Sequence, residues 1–511
     1  MKGPLLLIVL DGWGEAKPSP FNSLSQAKLP TWNKIRNEYP TTFLEASAES
    51  VGLPEKTIGN SEVGHMNIGA GRVVYQDLTR INQSLLDKSF FKNRALMDVA
   101  ENLKKSNGAL HLMGLLSDGG VHSHINHLFA LLDFAKAKNL PKVYVHCFMD
   151  GRDTPPNAGE GYIKKLEEKI KSVGNSAIAT VIGRYYAMDR DKRWERTALA
   201  YEALVEGKGN KAASALQAIT SSYEKGTTDE FTLPTVIEKE KKPVGLIKDG
   251  DVVLFFNYRA DRTRQLTLAL NKPDFSFFSR TVVPKLAAFV TMTRYEKDYP
   301  YPTLFPPQNL DNVLGEVLSK NHLKQFRIAE TEKYAHVTYF FNGGQEIEFN
   351  GEDRILVPSP RDVATYDLKP EMSASQVMDE VLKRLDQKRY NVMIMNFANG
   401  DMVGHSGRIN AAIKAVEAVD VCLGKILDKL ESLHGMAIVT SDHGNCESMI
   451  DENGNPHTAH TLNLVPLVLI TPDKKKYSLR KGGKLCDIAP TMLKLLGLSQ
   501  PKEMTGESLL V

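Results

Sequence analysis

The chain has few cysteines, no long apolar run and almost no net charge. Its four cysteines, Cys147, Cys422, Cys446 and Cys486, are far apart and form no CxxC pair, which argues against a disulfide scaffold and for a reducing compartment. No apolar run approaches the roughly 20 residues of a membrane span. The net charge of +3, from 64 basic and 61 acidic residues, gives no reason to expect nucleic acid or membrane as a partner. We expect a cytoplasmic protein.

Internal repeats and low-complexity segments are also absent. The 511 residues are too many for one ordinary hydrophobic core, so at least two domains are expected. The composition, 42% hydrophobic and 24% charged, is that of a globular protein.

Short apolar runs that end in polar turns recur along the chain. Leu5–Leu10 has the pattern of a strand buried on both faces, as in a parallel sheet. Helical patterns, for instance over 161–173 and 197–206, separate similar runs. This alternation predicts an α/β fold with mainly parallel sheets that helices cover. The other predicted strands are 109–115, 143–148, 177–182, 252–256, 392–397, 436–440 and 464–470.

A proline-rich segment interrupts this pattern at residues 299–307. Four prolines in nine residues predict a stiff linker. A helix is predicted directly afterwards, over 311–320, and the α/β pattern then resumes. An amphipathic helix is predicted to contain the apolar positions from Ile413 to Leu430. The linker therefore separates two α/β regions.

The motif GNSEVGH at residues 59–65 places Ser61 where it could cap a helix. Its oxygen would then lie at the positive end of the helix dipole. Such an oxygen can bind a metal, attack an electrophile or simply cap the helix. The residues that follow the predicted strands decide between these roles.

Aspartates and histidines follow several of the predicted strands in tight turns. Carboxylate and imidazole groups are ligands that divalent transition metals accept. Two adjacent cations could clamp a phosphoryl group and activate a serine hydroxyl. We therefore predict a dinuclear site for phosphoryl transfer through Ser61. One ion would take Asp401, His405 and His460, and the other Asp11, Ser61, Asp442 and His443.

Five arginines follow three other predicted strands and would converge on one rim. The guanidinium fork suits carboxylate and phosphate, so the cluster predicts a small ligand with several negative charges. The arginines are Arg152, Arg184, Arg190, Arg259 and Arg262.

The histidines His122, His124 and His127 resemble a local metal cluster. At this spacing their side chains would not all point in one direction. We interpret His122 instead as a hydrogen-bond donor to a phosphate or to a substrate carboxylate.

Four motifs together resemble those of the cofactor-independent phosphoglycerate mutases. They are DGWG at 11–14, GNSEVGH at 59–65, DGRD at 150–153 and SDHGNCE at 441–447. The metal residues alone would fit the wider alkaline phosphatase superfamily. The resemblance implies two three-layer α/β domains: an alkaline-phosphatase-like metal domain, residues 1–76 and 310–511, and an inserted phosphotransferase domain, residues 77–309.

The resemblance also implies an activity and a set of roles. The activity is interconversion of 3-phosphoglycerate and 2-phosphoglycerate through a phosphoserine at Ser61, by a monomer with two manganese ions and without 2,3-bisphosphoglycerate. The seven predicted ligands match the family's metal pattern. Asp153 resembles the general acid and base, and Lys333 would offset charge on the transferred group. The family's substrate residues correspond to His122, Arg152, Asp153, Arg184, Arg190, Arg259, Arg262 and Lys333.

Two other interpretations stay open. The same chemistry fits a metal-dependent phosphatase or a phosphopentomutase, although the arginines favour a small anionic substrate over a sugar. A protein that only binds anions or metals would not need the nucleophile and the acid–base residue. If the mutase interpretation holds, we expect substrate to draw the two domains together, with hinges near Asp77 and at 299–307.

Overall fold

The computed structural model describes residues 3–308, 310–451, 453–474 and 476–511. The chain folds into two compact units. The discontinuous unit comprises Met1–Gln76 and Asn309–Val511, and the inserted unit comprises Asp77–Gln308. Within the described residues, none of the helices has both the length and the apolar content to span a bilayer.

Strands and helices alternate along most of the chain. The strands are β1 (Leu5–Leu10), β2 (Thr41–Leu44), β3 (Leu110–Leu115), β4 (Val143–Met149), β5 (Ser176–Gly183), β6 (Asn210–Ala212), β7 (Thr235–Lys239), β8 (Lys242–Pro243), β9 (Val252–Phe255), β10 (Ala288–Thr293), β11 (Thr303–Phe305), β12 (Gln325–Glu330), β13 (Glu352–Val357), β14 (Val392–Phe397), β15 (Met436–Thr440) and β16 (Val465–Ile470). The helices are α1 (Ser23–Gln26), α2 (Pro30–Glu38), α3 (Ser61–Ala70), α4 (Asp77–Leu86), α5 (Arg94–Ser106), α6 (Ile125–Ala137), α7 (Gly159–Val173), α8 (Arg184–Ala187), α9 (Trp194–Tyr201), α10 (Ala215–Glu224), α11 (Arg264–Asn271), α12 (Leu314–Lys320), α13 (Thr331–Ala335), α14 (Ala374–Asp386), α15 (Asn399–Gly404), α16 (Ile409–Ser432) and α17 (Ile488–Leu496).

The sheet of the discontinuous unit has the strand order β13-β12-β14-β1-β15-β16-β2. Strand β1 pairs in parallel with β14 and with β15. Only the pairs β15–β16 and β16–β2 in this order are antiparallel. The central strands therefore end at the same edge of the sheet.

Both faces of β1 are covered. Its residues Leu6, Ile8 and Leu10 pack in an apolar cluster that includes side chains of α14 and α16. The alternate residues of the strand pack in another cluster, which includes side chains of α12 and α17. This is why the run is apolar at every position, and it gives the unit three layers.

The inserted unit repeats this plan with the strand order β11-β10-β9-β3-β4-β5-β7-β6, and β8 pairs with β7. Strands β9, β3, β4 and β5 are parallel neighbours, whereas β7 runs antiparallel to β5. Alternate residues of β3 again divide between two apolar clusters: Leu112 packs with α6 and α7, and Met113 with α9 and α11.

The predicted α/β fold with mainly parallel sheets is confirmed. Strands β1, β14 and β15 begin and end at the predicted residues, and the other predicted strands lie within one residue of their predicted ends. The amphipathic helix is α16. The helix predicted over 197–206 begins earlier, at Trp194, and the one predicted from residue 311 begins only at Leu314.

The predicted stiff linker at 299–307 is wrong for its central part. Thr303–Phe305 forms β11, which pairs in parallel with β10 at the edge of the inserted sheet. An edge strand tolerates neighbouring prolines because one side of it makes no ladder hydrogen bonds. Pro302 and Pro306 flank the strand, so they delimit it rather than prevent it.

Candidate active site

Three neighbouring strands of the discontinuous unit end at predicted metal ligands. Asp11 follows β1, Asp401 lies in α15 just after β14, and Asp442 follows β15 by one intervening residue. The carboxyl ends of parallel strands are where ligands gather in open α/β sheets. The turn after β1 requires glycine, because Gly12 has a φ of +73° and a Cβ there would lie 2.8 Å from the Asp401 backbone. The strand order thus brings the three aspartates together.

Ser61 is the first residue of α3, and the helix is capped by Asn60. The Asn60 side chain accepts a hydrogen bond from the Val63 backbone N–H at 2.9 Å. The predicted capping role of Ser61 is therefore wrong. Its buried hydroxyl lies instead 2.9 Å from His443 Nε2 and 3.2 Å from Asp11 Oδ1. The oxygen still lies at the positive end of the helix dipole.

Lys333 makes a third polar contact with Ser61. Its Nζ donates hydrogen bonds to Ser61 Oγ at 2.6 Å, to Asp11 Oδ1 at 2.8 Å and to Asp401 Oδ2 at 2.7 Å. Burial lowers the pKa of Lys333, but the carboxylates outweigh burial and raise the pKa above its usual value. A positive charge is therefore held beside the serine hydroxyl.

Three histidines surround the same carboxylates. His405 Nε2 lies 3.1 Å and His460 Nε2 lies 3.0 Å from Asp401 Oδ1. The His443 ring is stacked on the His460 ring with centroids 3.8 Å apart. His443 Nε2 is 3.3 Å from Asp11 Oδ1 and 3.9 Å from Asp401 Oδ1. His443 therefore lies between the carboxylates, whereas His405, with its side chain 43% exposed, lies at the rim.

All seven predicted ligands lie in this cluster, and the cluster also contains a histidine that the sequence analysis did not select. Among the described residues, two groups have ligand atoms within 4.8 Å of one another. One group is Asp401, His443 and His460, and the other is Asp11, His65 and Asp442. A signal for His65 was present, because it follows Ser61 by one helical turn and so lies on the same face of α3.

The cluster fits divalent cations. Oδ1 of the buried Asp442 accepts no hydrogen bond in the described part of the chain, and its Oδ2 lies 3.2 Å from His65 Nδ1. Burial would raise the pKa of Asp442, but neighbouring cations, His443 first, hold it well below the usual range. Burial likewise lowers the pKa of His443, but the carboxylates, Asp442 first, raise it to about 10. Carboxylate oxygens beside imidazoles are a donor set that transition metals accept.

A second cluster of predicted site residues lies in the inserted unit, after β4 and β5. The buried Arg184 Nη1 donates to Asp150 Oδ1 and to Asp153 Oδ2, both at 2.6 Å. Asp150 Oδ1 also accepts a hydrogen bond from the Asp153 backbone N–H at 2.9 Å. The Asp153 side chain is therefore held by the arginine, and its backbone by the neighbouring aspartate.

The other predicted arginines lie in the same cluster: Arg152, Arg184 and Arg190 are close enough to Arg262 to affect its pKa, and Arg259 Nε lies 3.1 Å from Asp261 Oδ1. Burial lowers the pKa of Arg262, and the positive charges of Arg184, Arg190 and Arg152 lower it further. Arg262 Nη1 donates to the Met188 carbonyl oxygen at 3.2 Å. Repulsion among these guanidinium groups makes the cluster a site for an anion.

His122 lies between two carboxylates of the same unit. Its Nε2 is 3.8 Å from Asp153 Oδ2, and its Nδ1 is 3.6 Å from Asp261 Oδ1. Burial first, and then the charge of Arg184, lower the pKa of His122 to about 4, so the ring is neutral at physiological pH. Asp261 Oδ2 also accepts from Arg190 Nη1 at 3.0 Å, a role of Asp261 that the sequence pattern does not indicate.

The three histidines of the 122–127 segment do not converge. His124 Nδ1 accepts a hydrogen bond from the Asn126 backbone N–H and so caps α6. His127 Nε2 lies 2.8 Å from Asn82 Oδ1, whereas His122 faces Asp153 and Asp261.

Comparison with known proteins assigns this pair of units to a family. Residues 81–297 match the family model described as "BPG-independent PGAM N-terminus", and residues 303–502 match "Type I phosphodiesterase / nucleotide pyrophosphatase". The chain is 57% identical to the 2,3-bisphosphoglycerate-independent phosphoglycerate mutase of Clostridium novyi (strain NT) over 510 residues, which is 99% of each protein. The chain belongs to the 2,3-bisphosphoglycerate-independent phosphoglycerate mutase family.

Other members of this mutase family support the same assignment. A Methanosarcina acetivorans relative, 2,3-bisphosphoglycerate-independent phosphoglycerate mutase 1, is 55% identical over 511 residues, 99% of this chain and 98% of its own. A solved structure of Leishmania mexicana phosphoglycerate mutase at low cobalt concentration is 34% identical, with a TM-score of 0.56, over 100% of this chain and 98% of that one. The family resemblance inferred from the four motifs is confirmed, and the chain is an isomerase of the intramolecular phosphotransferase class.

Proposed function

We propose that this chain interconverts 3-phosphoglycerate and 2-phosphoglycerate through a phosphoserine at Ser61 and without 2,3-bisphosphoglycerate. The observation that carries the proposal is the environment of Ser61. Its hydroxyl contacts a lysine, a histidine and an aspartate at once. These are groups that can activate a nucleophile and neutralise a transferred phosphoryl group.

The ligand cluster would hold two manganese ions. The residues for one ion are Asp401, His405 and His460, and those for the other are Asp11, Ser61, Asp442 and His443. When bound, the ions supply positive charge that stabilises the transferred group and lowers the pKa of a neighbouring hydroxyl.

In the first transfer, Ser61 would react as the alkoxide, after its hydroxyl has lost a proton to solvent beside the positive charge of Lys333. Its Oγ attacks the phosphorus of 3-phosphoglycerate. The new bond joins Ser61 Oγ to phosphorus, and the bond between phosphorus and the substrate's 3-oxygen breaks. Protonated Asp153 gives its proton to that oxygen, which becomes a hydroxyl. Lys333 offsets the negative charge on the transferred group.

The second transfer reverses these roles on the neighbouring hydroxyl. Glycerate stays bound while its carboxylate is held by arginines, and it turns so that its 2-hydroxyl faces the phosphoserine. Asp153, now ionised, takes the proton of that hydroxyl, and the 2-oxygen attacks phosphorus. The bond between phosphorus and Ser61 Oγ breaks, which returns Ser61 as the alkoxide and Asp153 in its protonated form. The arginines that would hold the anion through this turn are Arg152, Arg184, Arg190, Arg259 and Arg262, with His122 as a neutral donor.

The two parts of the chain would divide this work. Residues 1–76 and 310–511 form the metal domain, with the nucleophile and Lys333. Residues 77–309 form the phosphotransferase domain, with the acid–base residue and the arginines. We further propose that the enzyme works as a cytoplasmic monomer whose partners are small phosphoglycerates.

The test is an assay of 3-phosphoglycerate with manganese and without bisphosphoglycerate, in which 2-phosphoglycerate and free phosphate are both measured. We expect 2-phosphoglycerate to form, with little phosphate. Stoichiometric release of phosphate would identify a phosphatase instead, and conversion of pentose phosphates in preference to phosphoglycerate would identify a phosphopentomutase.

A further inference from the structure

His65 belongs to the same motif as Ser61, but the proposed mechanism gives it no task. The side chain is fully buried. Its Nδ1 lies 2.9 Å from the Ser61 carbonyl oxygen and 3.2 Å from Asp442 Oδ2. Its Nε2 lies 3.2 Å from Asn396 Nδ2. The two ring nitrogens therefore face Ser61 and Asp442 on one side of the ring and Asn396 on the other.

The partners of Asn396 determine where the His65 proton lies. Asn396 Nδ2 also lies 2.7 Å from Asp11 Oδ2, and a carboxylate oxygen can only accept. The amide nitrogen therefore faces both groups and donates one hydrogen to Asp11 and the other to His65. His65 Nε2 must accept, so the proton is on Nδ1, which donates to the Ser61 carbonyl and lies beside Asp442.

This arrangement leaves no nitrogen of His65 free to bind a metal. The atoms of Asp11, His65 and Asp442 are close enough for a metal group, but Nε2 accepts from Asn396 and Nδ1 carries a proton. We infer that His65 and Asn396 are positioning residues that fix Asp11 and Asp442 relative to each other for the cation. The inference rests on the metal binding in the proposed function.

The contacts of the pair suit this task. Lys333 already donates to Asp11 Oδ1 and to Asp401 Oδ2, and the other oxygen of Asp11 is held by the Asn396 amide rather than by a second cationic side chain. The His65 ring lies 3.2 Å from Asp442 Oδ2. Both residues lie on regular elements, Asn396 in β14 and His65 in α3, so the carboxylates are fixed by the sheet and by the nucleophile's own helix. Partners of this kind typically change metal affinity by about 10- to 100-fold.

A double-mutant cycle tests the inference. Metal-free wild-type protein, His65→Leu, Asn396→Leu and the double variant are titrated with manganese, and free Mn²⁺ is measured by electron paramagnetic resonance. We expect each single variant to bind as many manganese ions as wild type does. In each variant, one of these ions should be bound about 10- to 100-fold more weakly than in wild type. The double variant should be no more than about twofold weaker than the weaker single variant, because the two residues act through one hydrogen bond.

Asn67→Ala is the matched control. Asn67 is buried on the same helix, but its amide hydrogen-bonds to the Val51 and Val63 carbonyls rather than to the site. This variant should melt at a lower temperature and bind manganese as wild type does. An equal loss of affinity in Asn67→Ala would show that damage to α3 alone explains the effect, and would overturn the inference.

Other outcomes are equally decisive. Wild-type affinity in the single variants, or effects that multiply in the double variant, would overturn the inference. If His65→Leu alone lost one ion completely, His65 would be a ligand. If His65→Leu does not fold, His65→Asn replaces it in the cycle. This variant keeps a donor near the position of Nδ1 but removes the Nε2 acceptor, so its manganese affinity should equal that of Asn396→Leu. A wild-type protein that bound no manganese would instead overturn the proposed function itself.

Discussion

Lys333 is the residue that balances the charge around Ser61. It is buried among carboxylates and donates to two of them and to the nucleophile. A buried ammonium group is stable only when such partners compensate its lost hydration. The positive charge beside Ser61 is therefore a fixed feature of the discontinuous unit, supplied by its own chain.

Manganese binding should weaken as the pH falls. The pKa of His443 is raised to about 10, and the hydrogen bond to Asp401 raises the pKa of His405. In the metal-free protein, His443 is therefore protonated at neutral pH and must lose its proton before Nε2 can bind a metal. Below pH 10, each proton displaced makes the affinity fall by about tenfold per pH unit.

The measurement is activity against pH at two manganese concentrations. Activity should fall below neutrality, and excess manganese should move the midpoint to lower pH. A midpoint that does not respond to manganese would contradict this competition between protons and metal.

Ser61→Ala should abolish mutase activity and leave the fold intact. The substitution removes the only atom proposed to bond to phosphorus, whereas Asp11, His443 and Lys333 remain to hold the cluster together. Circular dichroism and manganese titration check the fold and the metal, and an isomerisation assay checks the function. Isomerisation at a rate comparable to wild type would exclude the phosphoserine route.

At the scale of elements, the helix that carries Ser61 depends on its neighbour. Asn60 caps α3 through its side-chain hydrogen bond to Val63 N. Asn60→Ala should lower the free energy of unfolding by about 1 kcal/mol, measured by urea denaturation. Asn60→Asp keeps the acceptor and is the matched control. Equal stability of Asn60→Ala and wild type would show that the cap is not needed.

The strands that position the site could be predicted because their apolar runs are continuous. Strands β1, β14 and β15 are buried at every position, which is the pattern that a parallel sheet imposes. Their polar ends then indicated where the ligands lie.

Strand β12 gave no such signal, although it is also buried throughout. It contains Arg327, whose guanidinium group lies 4.4 Å from the centre of the Phe341 ring and donates to Gln325. These contacts compensate the buried charge, and Phe341 lies outside the strand, where no local pattern connects it to Arg327. The strand that leads to Lys333 was therefore missed, although Lys333 itself was selected through the family resemblance.

The site residues also divide into those that the sequence indicates and those that only the structure reveals. Aspartates and histidines after strands could be selected because their chemistry is visible in the sequence. Asn396 and Asp261 could not, because an amide inside an apolar strand and an acid among arginines acquire their meaning only from partners far along the chain. Asn396 contacts Asp11, and these two residues are 385 positions apart.

At the scale of the whole molecule, each unit has apolar clusters of its own on both faces of its sheet. The chain leaves and re-enters the discontinuous unit at neighbouring points, since Arg72 donates to the Asp311 carbonyl oxygen at 2.6 Å. A short linker should therefore be able to replace the inserted unit without unfolding the rest.

Replacing residues 77–308 by a flexible linker should separate metal binding from phosphoryl transfer to glycerate. The remaining unit keeps all seven proposed ligands, Ser61 and Lys333, so it should still bind manganese. It lacks Asp153 and the arginines, so water should replace glycerate as the acceptor and any turnover should be slow hydrolysis. Product analysis with 3-phosphoglycerate checks this. Mutase activity in the shortened protein would contradict the proposed division of work.

The most direct test is to detect the phosphoserine intermediate during turnover. Wild-type enzyme with manganese is mixed with 3-phosphoglycerate, quenched in acid during turnover, digested and examined by mass spectrometry. We expect a phosphate on the peptide that contains residues 59–65, located on Ser61, and formed at least as fast as 2-phosphoglycerate appears. A phosphate on another residue, or normal turnover with Ser61 never phosphorylated, would contradict the phosphoserine route.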